Sequence, residues 1–212
     1  DRSSRGGALI RRIVLATRNE GKVRELKQML RDLPVEVLSL RDIPGVPEVE
    51  EDGETFRENA LKKAGEVARH TSEAVLADDS GLEVDALGGE PGIHSARYSG
   101  EAASDESNNR KLLFDLRNVP QGKRGAAFRC VLALSDPDGR SEVFEGTWRG
   151  EILFEPRGSM GFGYDPLFLD TRQGLTAAEL PPEVKNRISH RGQAFAKFRA
   201  WLLKKRSQEE QK

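Results

Sequence analysis

The stretch "RIVLATRNEGKVREL", residues 12–26, carries the first structural unit of the chain. Its opening run from Arg12 to Thr17 is apolar and β-branched, which predicts a buried strand, and a polar turn follows it. From Val23 onward, apolar residues recur at helical spacing, which predicts an amphipathic helix. A strand, a short turn and a helix in this order are typical of α/β proteins.

Strand and helix patterns alternate further along the chain before β-rich segments take over. "VEVLSL" (35–40) predicts a second strand, and "TFRENALKKAGEVARHT" (55–71) predicts a second helix. Two β-rich runs at 125–136 and 140–156 flank Pro137-Asp138-Gly139, whose composition is typical of a hairpin turn. Together these patterns predict an α/β fold on a mixed β-sheet.

The length of the chain, 212 residues, suits one moderately large domain. Residues 1–11 are rich in Arg, Gly and Ser, and we predict that they form a mobile extension. We predict a single catalytic domain over 12–204 and a polar tail over 205–212. Within that domain, 181–205 has the pattern of a loop followed by a C-terminal helix.

The composition excludes several classes of partner. The 34 Lys and Arg residues nearly balance the 35 Asp and Glu residues, so no global charge favours nucleic acid or an anionic membrane. The single cysteine, Cys130, cannot form a disulfide within the chain, and its apolar surroundings predict a buried, unreactive thiol. No apolar run reaches the roughly 18 residues of a membrane helix. We therefore expect a cytoplasmic protein that binds neither nucleic acid nor membrane.

The turn "ATRNEGK" (16–22) is the first of four polar clusters. The N–H groups of such a turn, and the N-terminus of the helix that follows, suit a phosphate, and Lys22 adds a positive charge. The spacing of a P-loop, GxxxxGK[ST], is absent. A polar, Asn-capped turn without a ligand is the alternative interpretation of this segment.

Carboxylates dominate the second and third clusters. Glu50–Asp52 precede a helix that carries Lys62–Lys63, and a solvated helix face is the alternative to a ligand site there. Asp78-Asp79 follow a short apolar strand predicted at 74–77, and a turn is predicted to begin at Ser80. Buried, unpaired carboxylates are unfavourable, so either Mg²⁺ neutralises this pair or the pair faces water. The spacing alone leaves both possibilities open.

The fourth cluster combines "GSMGFGYDP" (158–166) with "KNRISHRGQ" (185–193). Aromatic residues between glycines can stack on a flat ring, and the charged residues of both segments offer hydrogen-bond donors and acceptors. This composition suits a heterocyclic base. A surface pair formed by His190 and Arg191 is the alternative interpretation.

Six segments that contain these clusters occur in a fixed order along the chain: "LATRNEGKVREL", "TFRENALKKA", "LADDSGLEVDALGGEPGIHSARYSG", "GFGYDPLF", "TAAEL" and "ISHRGQA". In this order they resemble the inosine triphosphate pyrophosphatase family, which hydrolyses nonstandard purine nucleoside triphosphates. The resemblance extends from about residue 13 to residue 202. It implies that ITP, dITP or XTP is converted to the monophosphate and pyrophosphate with Mg²⁺. It further implies an elongated mixed sheet flanked by helices, two lobes with a central nucleotide cleft, and a homodimer.

The resemblance also implies three groups of site residues. Those that bind the triphosphate are Thr17, Asn19 and Lys22. Those that bind Mg²⁺ are Glu51, Asp78 and Asp79, and those that act in catalysis are Glu51, Lys63 and Asp79, with Asp79 as the general base. Those around the purine are Ser80, Phe162, Gly163, Tyr164, Asp165, Lys185, His190 and Arg191.

Arg191 carries only donors, so we expect it to bind the O6 acceptor of hypoxanthine or xanthine and to disfavour the amino group of adenine. Two alternatives stay open at this point. One is a related pyrophosphatase that acts on dTTP, UTP or modified pyrimidines. The other is a nucleotide-binding module without turnover, against which the Asp78-Asp79 pair argues.

Overall fold

The computed structural model describes residues 9–211 of the chain. Its strands are β1 (Arg12–Leu15), β2 (Glu36–Ser39), β3 (Ala74–Val84), β4 (Gly125–Ser135), β5 (Ser141–Ile152), β6 (Phe168–Asp170) and β7 (Leu175–Thr176). Its helices are α1 (Glu20–Leu30), α2 (Phe56–Thr71), α3 (Asp105–Asp115), α4 (Pro182–Ile188) and α5 (His190–Glu210). Short 3-10 turns lie at Asp85–Leu87, Gly92–Arg97 and Asp165–Leu167.

The strands form one seven-stranded sheet in the order β2-β1-β3-β4-β5-β6-β7. β1 runs parallel to β2 and β3, whereas β3 to β7 are successively antiparallel, so the predicted mixed α/β sheet is confirmed. The predicted hairpin is confirmed too, because β4 and β5 pair from Ser135 with Ser141 onward and the turn closes between Asp136 and Arg140.

The core divides along β3 and β4. Leu76 of β3 packs in a cluster with α1 and α5, and Leu82 packs in a second cluster with α3. Both residues occupy even positions of β3 and therefore lie on the same face of the sheet. A third cluster, which contains Val75 and the apolar side of α2, covers the opposite face. Only Asp78 and Ser80 separate Leu76 from Leu82 on the first face, so a polar gap lies between two apolar clusters.

The length of β3 differs from the prediction. We expected the strand to end at Ala77 and a turn to begin at Ser80, but β3 continues to Val84. The reason is its partner: β4 pairs with β3 from Val75 to Val84, so the antiparallel ladder continues through the aspartates. Successive residues of a strand point to opposite faces, and Asp78 and Asp79 therefore do not lie side by side.

Polar caps define where the helices begin. Asn19, Thr55, Ser104 and Ser189 each accept a hydrogen bond from a backbone N–H of the first turn. Ser189 also separates α4 from α5, so the predicted C-terminal helix is confirmed, whereas the segment before it, predicted as a loop, contains the short helix α4. The part of the chain that the structure describes contains no helix with the length and apolar character needed to cross a bilayer.

The predictions for the two ends of the chain rest on composition. Residues 1–8 of the predicted mobile extension lie outside the described residues. The segment predicted as a polar tail, 205–212, continues α5 as far as Glu210.

Candidate active site

The first polar cluster is the turn between β1 and α1. The Asn19 side chain accepts from the backbone N–H of Lys22 at 3.1 Å, and Thr17 Oγ1 accepts from the Asn19 N–H at 3.2 Å. These bonds stabilise the turn and direct the helix N-terminus toward the polar gap. Lys22 Nζ lies 3.0 Å from Asp78 Oδ1, which links this cluster to β3.

Asp78 is completely buried and surrounded by donors. Arg191 Nε donates to Asp78 Oδ2 at 2.7 Å, and both Lys22 Nζ and Ser80 Oγ contact Oδ1, at 3.0 and 2.9 Å. Burial would raise the pKa of Asp78, but Arg191 and Lys22 outweigh it and hold that pKa well below its ordinary value. Both oxygens are thus occupied by protein donors, and the place of Asp78 among the Mg²⁺ ligands stays a prediction.

Asp79 has a different environment on the other face of β3. It is 6% exposed, and its Oδ2 has no hydrogen-bond partner among the described residues. Burial raises the pKa of Asp79 to about 6; Lys22 and Lys63 oppose this rise and Glu51 adds to it. A buried carboxylate with a free oxygen and a raised pKa is suited to accept a proton or to bind a cation.

Glu51 and Lys63 lie next to Asp79 in the second cluster. Lys63, from α2, forms an ion pair with Glu51 and donates to the backbone carbonyl of Asp78 at 3.0 Å. Its side chain is 14% exposed, so Lys63 does not belong to a fully solvated helix face. Lys62 is more exposed, at 32%, and pairs with Asp52.

These residues form an incomplete set of metal ligands, which suits Mg²⁺ better than a metal that the protein alone coordinates. Within residues 9–211, no group of three or more His, Cys, Asp and Glu side chains converges as a metal site. Mg²⁺ needs only one or two carboxylates when phosphate oxygens and waters complete its shell. The orphaned oxygen of Asp79, together with the partly exposed Glu51, provides that smaller set.

The fourth cluster forms the opposite wall of the polar gap. Lys185 Nζ lies 2.6 Å from Asp165 Oδ2, and the same carboxylate oxygen accepts from the Phe162 N–H at 3.0 Å. The Lys185 ammonium also lies 4.8 Å from the centre of the Phe162 ring. The Phe162 ring and the buried Lys185 ammonium therefore lie next to each other.

His190 and Arg191 are buried, so the interpretation of a surface pair is wrong. The His190 ring stacks on Phe128 with centroids 4.7 Å apart, and burial lowers the pKa of His190 well below its ordinary value. His190 is therefore neutral, and its Nδ1 has no hydrogen-bond partner in the described part of the chain. Arg191 donates from Nη2 to Ser80 at 2.9 Å in addition to its contact with Asp78.

A cavity of about 220 Å³ lies between the two apolar clusters of the first sheet face. It is open to solvent and brings together residues from α1, β3, the 158–166 loop, α4 and α5. Its lining includes Asn19, Lys22, Ser80, Phe162, Gly163, Tyr164, Asp165, Lys185, His190 and Arg191. Thr17, Glu51, Lys63, Asp78 and Asp79 are not part of this lining. Asp78 is linked to the lining by Lys22, and Thr17 by the N–H of Asn19. Lys63 contacts the Asp78 carbonyl and Glu51.

Glu25 is a site residue that the sequence interpretation missed. It is buried on α1, and its two oxygens lie 2.6 Å from Lys185 Nζ and 3.0 Å from Arg191 Nη1. Burial raises the pKa of Glu25, but these two cations outweigh it and lower the pKa overall. The signal available in the sequence was its position three residues after Lys22, which places both residues on one side of a helix.

The fold and the cavity define an α/β protein with a cleft lined by cations and an aromatic loop, and with a raised-pKa carboxylate, Asp79, on the other face of β3. The sequence model of the Ham1 family matches residues 13–201, and the chain belongs to this family. This confirms the resemblance inferred from the six segments.

Two curated relatives and one solved structure illustrate the similarity. A protein of Geobacter sulfurreducens named dITP/XTP pyrophosphatase is 60% identical over 87% of this chain and 93% of its own. The protein of that name from Desulforamulus reducens is 54% identical over 88% of this chain and 92% of its own. The structure of a HAM1 protein from Coxiella burnetii matches with a TM-score of 0.83 and 43% identity, covering 92% of this chain and all of that one.

Proposed function

We propose that this chain is a nucleoside triphosphate pyrophosphatase that hydrolyses nonstandard purine nucleotides, ITP, dITP and XTP, to the monophosphate and pyrophosphate. The observation that carries the proposal is the position of Asp79, a buried carboxylate with a free oxygen and a raised pKa, flanked by Lys22 and Lys63. A general base and two cations both accelerate the attack of water on a phosphoanhydride. The names of the relatives support the same activity.

In the proposed mechanism, Asp79 accepts the proton of the water that attacks between the α- and β-phosphates. Lys22, Lys63 and the turn at Thr17 and Asn19 hold the triphosphate and stabilise the negative charge that develops on its oxygens. Mg²⁺, held by Glu51 and Asp79, would supply Lewis-acid stabilisation of the phosphates and of the pyrophosphate that leaves.

Asp78 has a supporting role in this mechanism. Its carboxylate binds Lys22 and Arg191 and thereby orients one cation toward the triphosphate and the other toward the purine. The two adjacent aspartates therefore do different work, because they lie on opposite faces of β3.

For the base, we propose that Phe162, Lys185, His190 and Arg191 form the purine pocket. Lys185 and Arg191 carry donors only, which suits the O6 acceptor of hypoxanthine or xanthine and disfavours the N6 amino group of adenine. Arg191 already donates three of its five N–H groups, to Asp78, Glu25 and Ser80, so only its remaining donors are available to O6. Lys185 likewise keeps one N–H beyond its contacts with Glu25 and Asp165.

A panel of substrates tests the activity directly. With Mg²⁺, pure protein should release pyrophosphate from dITP and XTP far faster than from dATP, dGTP, dTTP or UTP. Adenine would leave the buried donors unpaired, and rejection of such a base reaches on the order of 10⁴-fold in the best cases. Release of orthophosphate, or equal rates with dITP and dATP, would contradict the proposal, and faster hydrolysis of pyrimidines would assign the chain to the related activity.

The proposed magnesium site has a consequence for stability. The pKa of Asp79 is about 6 in the folded protein, against about 3.9 in an unfolded chain. The folded state therefore binds the extra proton between these pH values, and the free energy of unfolding falls as pH rises through about 6. Without metal, Asp79→Asn should thus be more stable than the unaltered protein by about 1–3 kcal/mol at pH 7.5, and by roughly half as much at pH 5.

Urea unfolding in EDTA at the two pH values measures this difference. Added Mg²⁺ at pH 7.5 should then stabilise the unaltered protein and leave Asp79→Asn nearly unchanged, because binding to the folded state alone raises its stability. An Asp79→Asn protein that is no more stable than its parent at pH 7.5 would contradict the assigned environment of Asp79. Equal stabilisation of both proteins by Mg²⁺ would remove Asp79 from the metal site.

A homodimeric assembly stays a prediction that rests on the family resemblance, and a cytoplasmic location stays one that rests on the composition. Gel filtration with light scattering tests the first of them.

A further inference from the structure

Gly21 is a buried residue in the first turn of α1, between the Asn19 cap and Lys22. Its backbone is helical and lies outside the left-handed region, so the conformation does not require glycine. Alanine is the better helix former, and the local preference therefore opposes the residue that is present. A tertiary contact must account for the absence of a side chain.

That contact is the ring of Phe162. A Cβ atom on Gly21 would approach three ring carbons to less than 3.0 Å, with Cγ at 2.5 Å and Cε1 at 2.8 Å, closer than real Cβ atoms come to their neighbours. No other atom is among its three nearest neighbours. The space left by the missing methyl group is thus filled by the aromatic ring.

The loop that carries Phe162 is held in place from other directions. The Phe162 N–H donates to Asp165, the Gly163 N–H donates to Asp105 Oδ2 at 2.9 Å, and Asn109 Nδ2 donates to the Gly163 carbonyl at 3.0 Å. These bonds tie the backbone of the loop to α3 and to itself. A methyl group on Gly21 would therefore displace the ring more readily than the backbone.

We propose that Gly21 is a positioning residue for the purine site: by lacking a side chain, it seats the Phe162 ring against α1 at the height of the base. The same turn of α1 would then position the triphosphate, through Asn19 and Lys22, and the Phe162 ring on which the purine stacks. This inference rests on the proposed place of Phe162 in the purine pocket. It assigns no contact between Gly21 and the substrate.

Four variants test the inference: Gly21→Ala, Phe162→Ala, the double variant, and Gly65→Ala as a matched control. Gly65 is a helical glycine of α2 whose added Cβ would meet only Arg69 Nη1, at an ordinary 3.5 Å. Gly21→Ala should raise KM for dITP about tenfold, within the roughly 5- to 150-fold that loss of a base–aromatic stack produces. It should leave kcat within about threefold, because the lost interaction is one of uniform binding.

Two readouts separate this role from a general effect on the turn. Inorganic triphosphate, which has no base, should inhibit Gly21→Ala and the unaltered enzyme equally well. In the Phe162→Ala background, Gly21→Ala should have almost no further effect on KM, because the effects of substitutions at two residues in contact are not additive. This comparison holds even where Gly21→Ala alone lowers the melting temperature, since the ring that would clash is absent. Gly65→Ala should behave like the unaltered enzyme.

Additive effects of Gly21→Ala and Phe162→Ala would overturn the inference, as would weakened inhibition by inorganic triphosphate to the same extent as the rise in KM. A Phe162→Ala enzyme with normal KM would remove Phe162 from the purine pocket and this inference with it. Hydrolysis of dITP by the unaltered enzyme is a separate result, so failure of the inference is distinguishable from failure of the proposed function.

Discussion

Asp79→Asn is expected to lose nearly all turnover of dITP while it still binds the nucleotide. General-base catalysis contributes about 10²- to 10⁴-fold, and asparagine cannot accept the proton of the attacking water. The side chain has nearly the same shape, so the cavity and the cations around the triphosphate stay in place. Steady-state release of pyrophosphate at saturating dITP measures the loss, and calorimetric titration with dITP measures binding.

Asp85→Asn is the matched control for this variant. Asp85 lies six residues further along, immediately after β3, and its side chain is 56% exposed in an ion pair with Arg149. It is outside the cavity, and its variant should keep normal kcat and KM. An Asp79→Asn enzyme with a rate close to that of Asp85→Asn would show that another group accepts the proton.

Asp78→Ala is expected to lower the free energy of unfolding by about 3–5 kcal/mol, the usual cost of removing one partner from a buried ion pair. The side chain of Asp78 has no exposed surface, and that of Arg191 is 2% exposed, so water cannot replace the lost carboxylate. Lys22 loses its partner as well. Urea unfolding of the metal-free protein measures the change.

The pH dependence of this loss has a defined sign. Because the pKa of folded Asp78 lies well below its ordinary value, the carboxylate stabilises the fold at all pH values above the unfolded pKa of about 3.9. The difference between Asp78→Ala and the unaltered protein should therefore be the same at pH 5 and pH 8. It should shrink only in stronger acid, as Asp78 takes up its proton.

Asp85→Ala again provides the comparison, since the exposed ion pair of Asp85 with Arg149 is worth at most about 1 kcal/mol. If Asp78→Ala cost no more than Asp85→Ala, the positive charges of Lys22 and Arg191 would have to be satisfied by other groups. Glu25, which already contacts Arg191, is the nearest candidate for that role.

The parts of the fold and of the site that the sequence predicted are those that depend on nearby residues. The Asn19 cap, the strand–turn–helix unit near the start of the chain and the hairpin at Pro137-Asp138-Gly139 each depend on residues a few positions apart. The family followed from six such segments in order, and the match over residues 13–201 confirms it. The placement of Asp78 and Asp79 on opposite faces of a continuing strand was not predicted, because the end of β3 depends on pairing with β4, some fifty residues later in the chain.

By itself, then, the sequence determined the α/β class, the family and the chemical types at the cleft. Only the tertiary structure decided how those groups are connected. Arg191 reaches Asp78 across 113 positions, and Lys185 reaches Glu25 across 160, and no local periodicity encodes contacts over such separations. The physical reason is that a buried charge must be paired where the fold buries it, and the partner is whichever opposite charge the packing of α1, β3 and α5 delivers.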